Sequence, residues 1–190
     1  MSYAALPVLW TPRLELRPLT DQDADALARG VGNYDVSRWL AVVPYPYDAD
    51  DARRFIQRVH AQDKPFWGIH NAHGLIGVVS LDDELAYWVA RPFWGKGYGF
   101  EAAHAAVQHW FADTRAGDLA SGYFDGNDRS GKVLQALGFR PFQRVTRYAK
   151  SFQQDVVSNQ MRLTRKDWDA RLDMTLYTPR LTLRPLEKRD

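Results

Sequence analysis

Hydrophobic and polar positions along the chain follow two periods, one of about two residues and one of about 3.6. The shorter period, together with brief β-branched runs, predicts strands at residues 14–19, 66–70, 75–80, 84–89, 119–125, 143–148 and 156–163. Hairpins come first, one strand–helix–strand crossover lies in the middle, and antiparallel strands come last. This order predicts an α/β (α+β) fold with a mixed, mostly antiparallel sheet and helices on its faces.

The longer period predicts four helices, each with one apolar stripe that faces the sheet. The predicted stripes are Ala24, Leu27 and Val31; Ala52, Phe55, Ile56 and Val59; Phe100, Ala103, Val107 and Trp110; and Val133, Leu134 and Leu137. Thr20, Asp48 and Asn127 are the predicted N-caps, and Gly138 is the predicted end of the last of these helices.

Strand, loop and helix signals meet at residues 88–103, around three glycines. Gly95, Gly97 and Gly99 allow a backbone with positive φ and let N–H groups approach a ligand closely. At a helix N-terminus such donors bind an anion, most often a phosphate. Two alternatives stay open: a glycine-rich turn without a ligand, and a Rossmann fingerprint at residues 97–102. A Rossmann fingerprint usually follows the first strand, however, and here several predicted strands come earlier.

The segment at residues 87–102 resembles the acetyl-CoA loop of the GNAT N-acetyltransferases, and above all that of the RimJ/RimL-type branch. The resemblance is carried by Tyr87-Trp88-Val89, Pro92-Phe93-Trp94-Gly95-Lys96-Gly97-Tyr98-Gly99 and Glu101-Ala102. Later segments add Asn127-x-x-Ser130 with Leu134, Leu137, Gly138 and Phe139, and Pro44 to Tyr47 before the second helix. The resemblance covers about residues 14–168. It implies a GNAT-like sheet with helices on both faces and one central βαβ unit that binds acetyl-CoA, in a single domain over residues 1–174.

Composition is that of an ordinary soluble globular protein, with 45% hydrophobic and 25% charged residues. A formal net charge of +2 offers no broad field for nucleic acid. No signal peptide and no membrane span is predicted, so we expect a cytoplasmic protein without a membrane partner. The chain has no cysteine, and its histidines are scattered without the spacing of metal ligands, so we expect no metal.

The resemblance implies acetyl-CoA as cosubstrate and an amine as acceptor. The loop at residues 95–99 would hold the pyrophosphate, with Lys96 adding a charge, and the pantetheine would pair with backbone groups near residues 88–90. A backbone N–H of this strand would face the thioester oxygen. The predicted cofactor-binding residues are Trp88, Val89, Ala90, Trp94, Gly95, Lys96, Gly97, Tyr98, Gly99, Phe100, Asn127 and Ser130.

Two side chains are predicted to be catalytic. Glu84 is the candidate base for the amine, because it begins the strand that lines the thioester in the family and lies beside an apolar run that could raise its pKa. The alternative for Glu84 is a solvent-facing carboxylate at a strand edge. Glu101 is the rival candidate base, although the helix dipole stabilises a carboxylate at that position without catalysis. Many GNAT enzymes place a tyrosine where this chain has Leu134. In the RimJ/RimL branch the serine of Asn-x-x-Ser is proposed as proton donor to the thiolate, so Ser130 inherits that role, against the alternative of a hydroxyl bonded to backbone.

We therefore predict an N-acetyltransferase that moves an acetyl group from acetyl-CoA directly to a primary amine, on a protein N-terminus or a small molecule. One alternative is a non-catalytic GNAT-like domain that binds acyl-CoA, and another is a Rossmann-type oxidoreductase. Trp39, Tyr45 and Tyr47 lie where the resemblance places the acceptor-side wall.

The segment 175–190 is a predicted strand-like tail. Residues 178–186 repeat residues 11–19 with a single difference, Thr182 in place of Glu15. We expect Leu181 and Leu183 to be buried and the tail to add to a sheet edge, giving a homodimer if the edge belongs to a second copy. A tandem second domain and a tail fixed by crystal packing are the alternatives.

Overall fold

An eight-stranded sheet forms the centre of the protein in a computed structural model, which describes residues 6–82, 84–172, 176–177 and 182–183. The strand order is β1-β2-β3-β4-β5-β6-β8-β7. The strands are β1 (Leu9–Trp10), β2 (Glu15–Pro18), β3 (Phe66–Asn71), β4 (Gly74–Leu81), β5 (Leu85–Val89), β6 (Leu119–Phe124), β7 (Arg140–Ala149) and β8 (Gln154–Leu163). Neighbouring strands are antiparallel except β5 and β6, which are parallel. The predicted mixed, mostly antiparallel sheet is therefore confirmed.

Helices cover both faces of this sheet, as predicted. They are α1 (Ala24–Val31), α2 (Tyr34–Ser37), α3 (Ala49–Ala61), α4 (Tyr98–Ala112), α5 (Asp128–Ala136) and α6 (Arg165–Leu172). The buried stripes of α1 and α3 share one apolar cluster with Val78 of β4. The neighbouring Val79 points to the opposite face, into a larger cluster that includes buried residues of α4 and α5 and Trp168 of α6.

The buried face of α4 differs from its prediction at both ends. Phe100 is exposed and Trp110 is half-buried. The buried residues of α4 are Ala102, Ala103, Ala105, Ala106, Val107 and Phe111. Apolar residues are so frequent in this helix that several stripes fit its sequence, and the small alanines allow the closest approach to the sheet. Strand β1 and helices α2 and α6 were not predicted at all, the strand because two residues show no alternation.

Strands β5 and β6 separate soon after they meet. Their pairing is limited to Leu85 with Ser121, and the Ser121 hydroxyl donates to the Leu85 carbonyl (2.7 Å). Every other neighbouring pair in the sheet extends over at least two residue positions. The pairing lies at the start of β5, so β5 and β6 diverge over the rest of β5 and leave an opening in the sheet.

The two described pieces of the tail form a separate antiparallel pair, β9 (Leu176–Tyr177) and β10 (Thr182–Leu183). Its register equals that of β1 and β2 at the equivalent positions of the repeat. The paired positions are Leu9 with Leu16, Trp10 with Glu15, Leu176 with Leu183, and Tyr177 with Thr182. The predicted burial of Leu181 and of the Leu183 side chain lies outside the described part of the chain. The division of the chain at residue 174 and the strand-mediated homodimer stay predictions.

Candidate active site

A cavity of about 550 Å³ opens where β5 and β6 separate. This volume lies within the usual range for small-molecule sites. One side, here called the cofactor half, consists of the loop and helix start at residues 93–100, the inner edge of β5 and the first turn of α5. The other side, the acceptor half, consists of Glu84, Arg147 and the segment 36–43.

The backbone of β5 faces β4 and the cavity alternately. Ala90, directly after β5, donates its N–H to the carbonyl of Ile76 in β4 (2.8 Å). In an antiparallel pair every second residue makes its backbone bonds to the same neighbour, so Trp88 also turns its backbone groups to β4. Tyr87 and Val89 consequently turn theirs toward β6, which has already moved away.

This alternation corrects part of the predicted cofactor site. We expected backbone partners for the pantetheine at Trp88 to Ala90, but at Trp88 and Ala90 those groups face β4. The backbone groups that remain for the pantetheine are the N–H and carbonyl of Tyr87 and the N–H of Val89. The Val89 carbonyl is not among them, because it accepts a hydrogen bond from the Trp94 indole N–H (2.5 Å). Trp88 reaches the cavity by its side chain, whereas Ala90 does not line it.

The glycine loop ends in an unsatisfied helix N-terminus. Gly95 and Gly97 have φ of +73° and +80°, a conformation that favours glycine. Helix α4 begins at Tyr98, and its first backbone bond runs from the N–H of Glu101 to the Gly97 carbonyl (3.0 Å). The amides of residues 98–100 therefore have no partner among the described residues and point out of the helix start. They are suited to an anionic group such as a pyrophosphate.

The Trp94 ring, which lines the cavity, contacts two guanidinium groups. Arg129 is 3.7 Å and Arg91 is 4.7 Å from the ring centroid. Together with the bond to Val89, these contacts fix the tryptophan at the point where the loop leaves β5. Arg129 also lines the cavity, so its positive charge adds to the electrostatic preference of this half for an anion, whereas Arg91 is paired with Asp35 (3.4 Å).

Glu101 fastens the glycine loop to the turn between β1 and β2. Its carboxylate accepts hydrogen bonds from the Thr11 hydroxyl (2.6 Å) and from the backbone and side chain of Arg13. Arg13 also donates to the Lys96 carbonyl within the loop (2.9 Å). Burial alone would raise the pKa of Glu101, but the bonds from Thr11 and Arg13 hold that pKa below its usual value. These bonds give the Glu101 carboxylate a structural role, so its presence is explained without a part in catalysis.

Glu84 lies directly before β5 and lines the cavity, but its neighbour is not apolar. Both of its carboxylate oxygens accept bonds from Arg147 of β7, at 2.9 and 3.1 Å. Arg147 donates in addition to Gln160 of β8 (3.0 Å). The expected apolar environment is therefore wrong, because the β7–β8 hairpin brings a distant arginine to this carboxylate.

Asn127 and Ser130 stand together at the start of α5. The Asn127 side chain accepts a bond from the Ser130 N–H (3.4 Å), which confirms the predicted N-cap. The Ser130 hydroxyl lies 3.0 Å from the hydroxyl of Tyr87, on β5. Sequence reasoning missed this pairing, since Tyr87 is far away in the chain and belongs to a different element.

The other predicted cofactor residues divide between the cavity lining and the surface. Those that line the cavity are Trp88, Val89, Trp94, Gly95, Gly97, Tyr98, Gly99, Phe100, Asn127 and Ser130. Lys96 does not line it; its ammonium lies 5.4 Å from the Phe93 ring centroid. On the acceptor side, Trp39 lines the cavity as expected, whereas Tyr45 and Tyr47 do not.

The described ranges contain neither a candidate metal site nor a candidate membrane span. No group of three or more His, Cys, Asp or Glu side chains lies close enough together there to hold a metal ion. No helix within those ranges is long and apolar enough to cross a bilayer.

Comparisons with known proteins cover most of the chain. A family model described as the acetyltransferase (GNAT) domain matches residues 13–140. The uncharacterized N-acetyltransferase p20 of Bacillus licheniformis is 25% identical over 162 residues, 77% of this chain and 89% of the relative. The putative ribosomal N-acetyltransferase YdaF of Bacillus subtilis is 26% identical over 142 residues, 66% of this chain and 77% of the relative. The crystal structure of the ribosomal-protein-S5-alanine acetyltransferase of Vibrio fischeri has a TM-score of 0.68 at 18% identity, over 85% of this chain and 98% of that one.

Proposed function

The chain belongs to the GNAT family of acetyltransferases, as its segments at residues 87–102 and 127–139 predict, and we propose that it transfers an acetyl group from acetyl-CoA directly to a primary amine. The observation that carries this proposal is the open inner edge of β5 beside the unsatisfied start of α4. A strand edge suits an amide-bearing chain such as pantetheine, and the helix start suits its pyrophosphate. Acetyl-CoA supplies an activated acyl group at the end of that chain.

The fold excludes the Rossmann alternative. A dinucleotide-binding Rossmann domain requires a mostly parallel sheet with the glycine loop after its first strand. Among the described strands of this protein, β5 and β6 make the one parallel pair, and the loop follows the fifth strand. The oxidoreductase prediction is therefore wrong.

The residues of the cofactor half support binding and charge stabilisation. The N–H groups of Tyr87 and Val89 face the cavity where a thioester oxygen would lie, so either can donate to the oxyanion that develops during transfer. The loop at residues 95–99 and the amides that follow it hold the pyrophosphate. These donors belong to backbone that a strand and a helix already fix, which limits reorganisation during the reaction.

Glu84 is the proposed acceptor of the proton that the amine must lose, directly or through water. A carboxylate has about four lone-pair positions, and the bonds from Arg147 use two of them. The remaining positions stay available on the cavity side. Arg147 has a positioning role in this proposal, because it fixes the direction of the carboxylate.

Ligand-shift melting and thiol release test the proposal together. CoA should raise the melting temperature, NAD(P) should leave it unchanged, and a panel of primary amines should include acceptors that release thiol from acetyl-CoA. No shift with CoA would overturn the proposal. A shift with CoA but no thiol release with any amine or N-terminal peptide would replace it with the acyl-CoA-binding domain. The same panel identifies the acceptor class, from protein N-termini to small amines.

A further inference from the structure

We propose that Tyr87 is a positioning residue for acetyl transfer, whose hydroxyl donates a hydrogen bond to Ser130 and thereby aims the serine O–H at the departing sulfur. This inference rests on the proposed function and adds to it a residue on another element. The two hydroxyls meet inside the cavity, Tyr87 from β5 and Ser130 from α5.

The tyrosine is the proposed donor of this pair, although either hydroxyl can donate at this distance. The Tyr87 oxygen lies 3.0 Å from Ser130 Oγ and 3.3 Å from the Ser130 carbonyl, which can only accept. In the proposed arrangement the tyrosine proton points to Ser130 Oγ, which accepts, so the serine's own proton is free to point to another acceptor. Ser130 lines the cavity, so its O–H can reach a sulfur held against β5.

Tyr87 is suited to remain a donor throughout the reaction. Burial raises the pKa of its phenol to about 12, and the bond with Ser130 lowers that pKa in part. The phenol therefore keeps its proton at any pH at which the enzyme would be assayed. Tyr87 can therefore donate the same hydrogen bond to Ser130 at every step of the reaction.

The transfer step balances without a proton from either hydroxyl. The amine nitrogen forms a bond to the acyl carbon and gives up its proton to Glu84, directly or through water. The carbon–sulfur bond breaks, and its electron pair leaves with the sulfur. A thiol has a pKa of about 8.5 and an alcohol is a far weaker acid, so in this proposal the serine proton stays on oxygen and stabilises the thiolate through a hydrogen bond. The proposal thus gives Ser130 the role of hydrogen-bond donor in place of the predicted role of proton donor. The thiolate then takes its proton from water.

This arrangement also accounts for Leu134. The resemblance places a tyrosine there in many GNAT enzymes, but the Leu134 side chain is fully buried in the core here. A tyrosine hydroxyl still reaches the region, from β5 instead of α5, with a serine between it and the cavity.

The test is a double-mutant cycle on kcat with Tyr87→Phe and Ser130→Ala. Tyr87→Phe should lower kcat about tenfold, the equivalent of one ordinary hydrogen bond, with the KM for acetyl-CoA within about twofold of wild type. In the Ser130→Ala background the same change should have almost no further effect, because Tyr87 acts through the serine. Tyr47→Phe is the matched control, since burial raises the pKa of Tyr47 to about 12 as well and Tyr47 does not line this cavity.

The outcomes separate the proposals. Equal losses from Tyr87→Phe with and without the Ser130 hydroxyl would overturn the positioning role and leave a packing role. Wild-type protein that releases no thiol overturns the proposed function itself. If Tyr87→Phe does not fold, 4-aminophenylalanine and 4-methylphenylalanine at position 87 keep the size of the side chain. The amine, which retains a donor, should stay within about threefold of wild-type kcat, and equal rates for both would refute the proposal.

Discussion

The cofactor half of the cavity is built from backbone, whereas the acceptor half is built from side chains. Residues 95–100 and the inner edge of β5 present N–H groups whose positions follow from a helix start and a strand. On the other side, Glu84 owes its position to Arg147 and Gln160 of the last hairpin. A backbone site depends on local conformation, and a side-chain site depends on contacts between distant elements. Substitutions in the glycine loop should therefore affect binding, and substitution of Glu84 should affect turnover.

The largest effect is expected from Gly97→Val, which should abolish CoA binding. Gly97 has a φ of +80°, and a Cβ there would lie 3.3 Å from an Arg13 nitrogen. A β-branched residue is ill-suited to this conformation and should distort the loop. Ligand-shift melting and calorimetry measure the loss.

Gly74→Val is the matched control for that change. Gly74 has a φ of +87° at the first residue of β4, directly after the turn from β3, and a Cβ there meets no atom within 4 Å. Both variants carry the same kind of backbone strain and should lose stability. CoA binding that is weakened equally in both would assign the effect to global strain and erase the distinction between the halves.

The next largest effect is expected from Glu84→Gln on turnover. A general base contributes about 10²–10⁴-fold, so kcat should fall by at least about 10²-fold while CoA affinity stays nearly unchanged. Asp125→Asn is the matched control, because Asp125 pairs with Arg144 of the same strand β7 (3.1 Å) but does not line the cavity. Ordinary rates for Glu84→Gln between about pH 6 and 9 would remove Glu84 from the mechanism.

A smaller effect is expected from Glu101→Gln on affinity. The change weakens the bonds with which Arg13 holds the loop, so the loop should be less preorganised and CoA should bind about tenfold more weakly. Turnover at saturating acetyl-CoA should change little. Asp113→Asn tests specificity, since Asp113 pairs with Arg115 at the opposite end of α4. Equal affinities for the two variants would contradict a fastening role for Glu101.

The smallest effect concerns acid stability. The pKa of Glu101 is lowered in the folded protein, so the carboxylate contributes stability above its usual value of 4.5 and loses that contribution as the pH falls through the folded value. Between about pH 5.5 and 3.5 the Tm of wild type should therefore fall further than that of Glu101→Gln. Parallel curves would show that the bonds from Thr11 and Arg13 add nothing to the folded state.

The same contrast explains what the sequence could predict. The glycines, the start of α4 and the Asn127 cap are local patterns, so residues adjacent in the chain are adjacent in the site. The direction of the β5 backbone needed the register with β4, which no pattern in a single strand reveals. The pairs of Glu84 with Arg147 and of Tyr87 with Ser130 join distant segments. They depend on how hairpins and helices pack, and alternation alone carries no information about that.

The prediction of the buried face of α4 was partly wrong for another physical reason. Its apolar residues occupy almost every turn, so helical spacing does not select one face. Packing selected the alanines, because small side chains let the helix lie close to the sheet, and left Phe100 exposed. Where the stripe is narrow, as in α3, the predicted Ala52, Ile56 and Val59 are buried and the predicted Phe55 is half-buried.

The open edge of β5 also bears on how long the protein survives. Tyr87 and Val89 present strand groups that β6 does not pair, so in the free protein they depend on water. A ligand that pairs with them binds the folded chain alone and depletes the unfolded population by mass action. Unfolded chains are the ones that proteases remove in a cell. A ligand that completes the sheet would thus also protect the folded chain from proteolysis, to an extent that rises with the ligand concentration relative to its Kd.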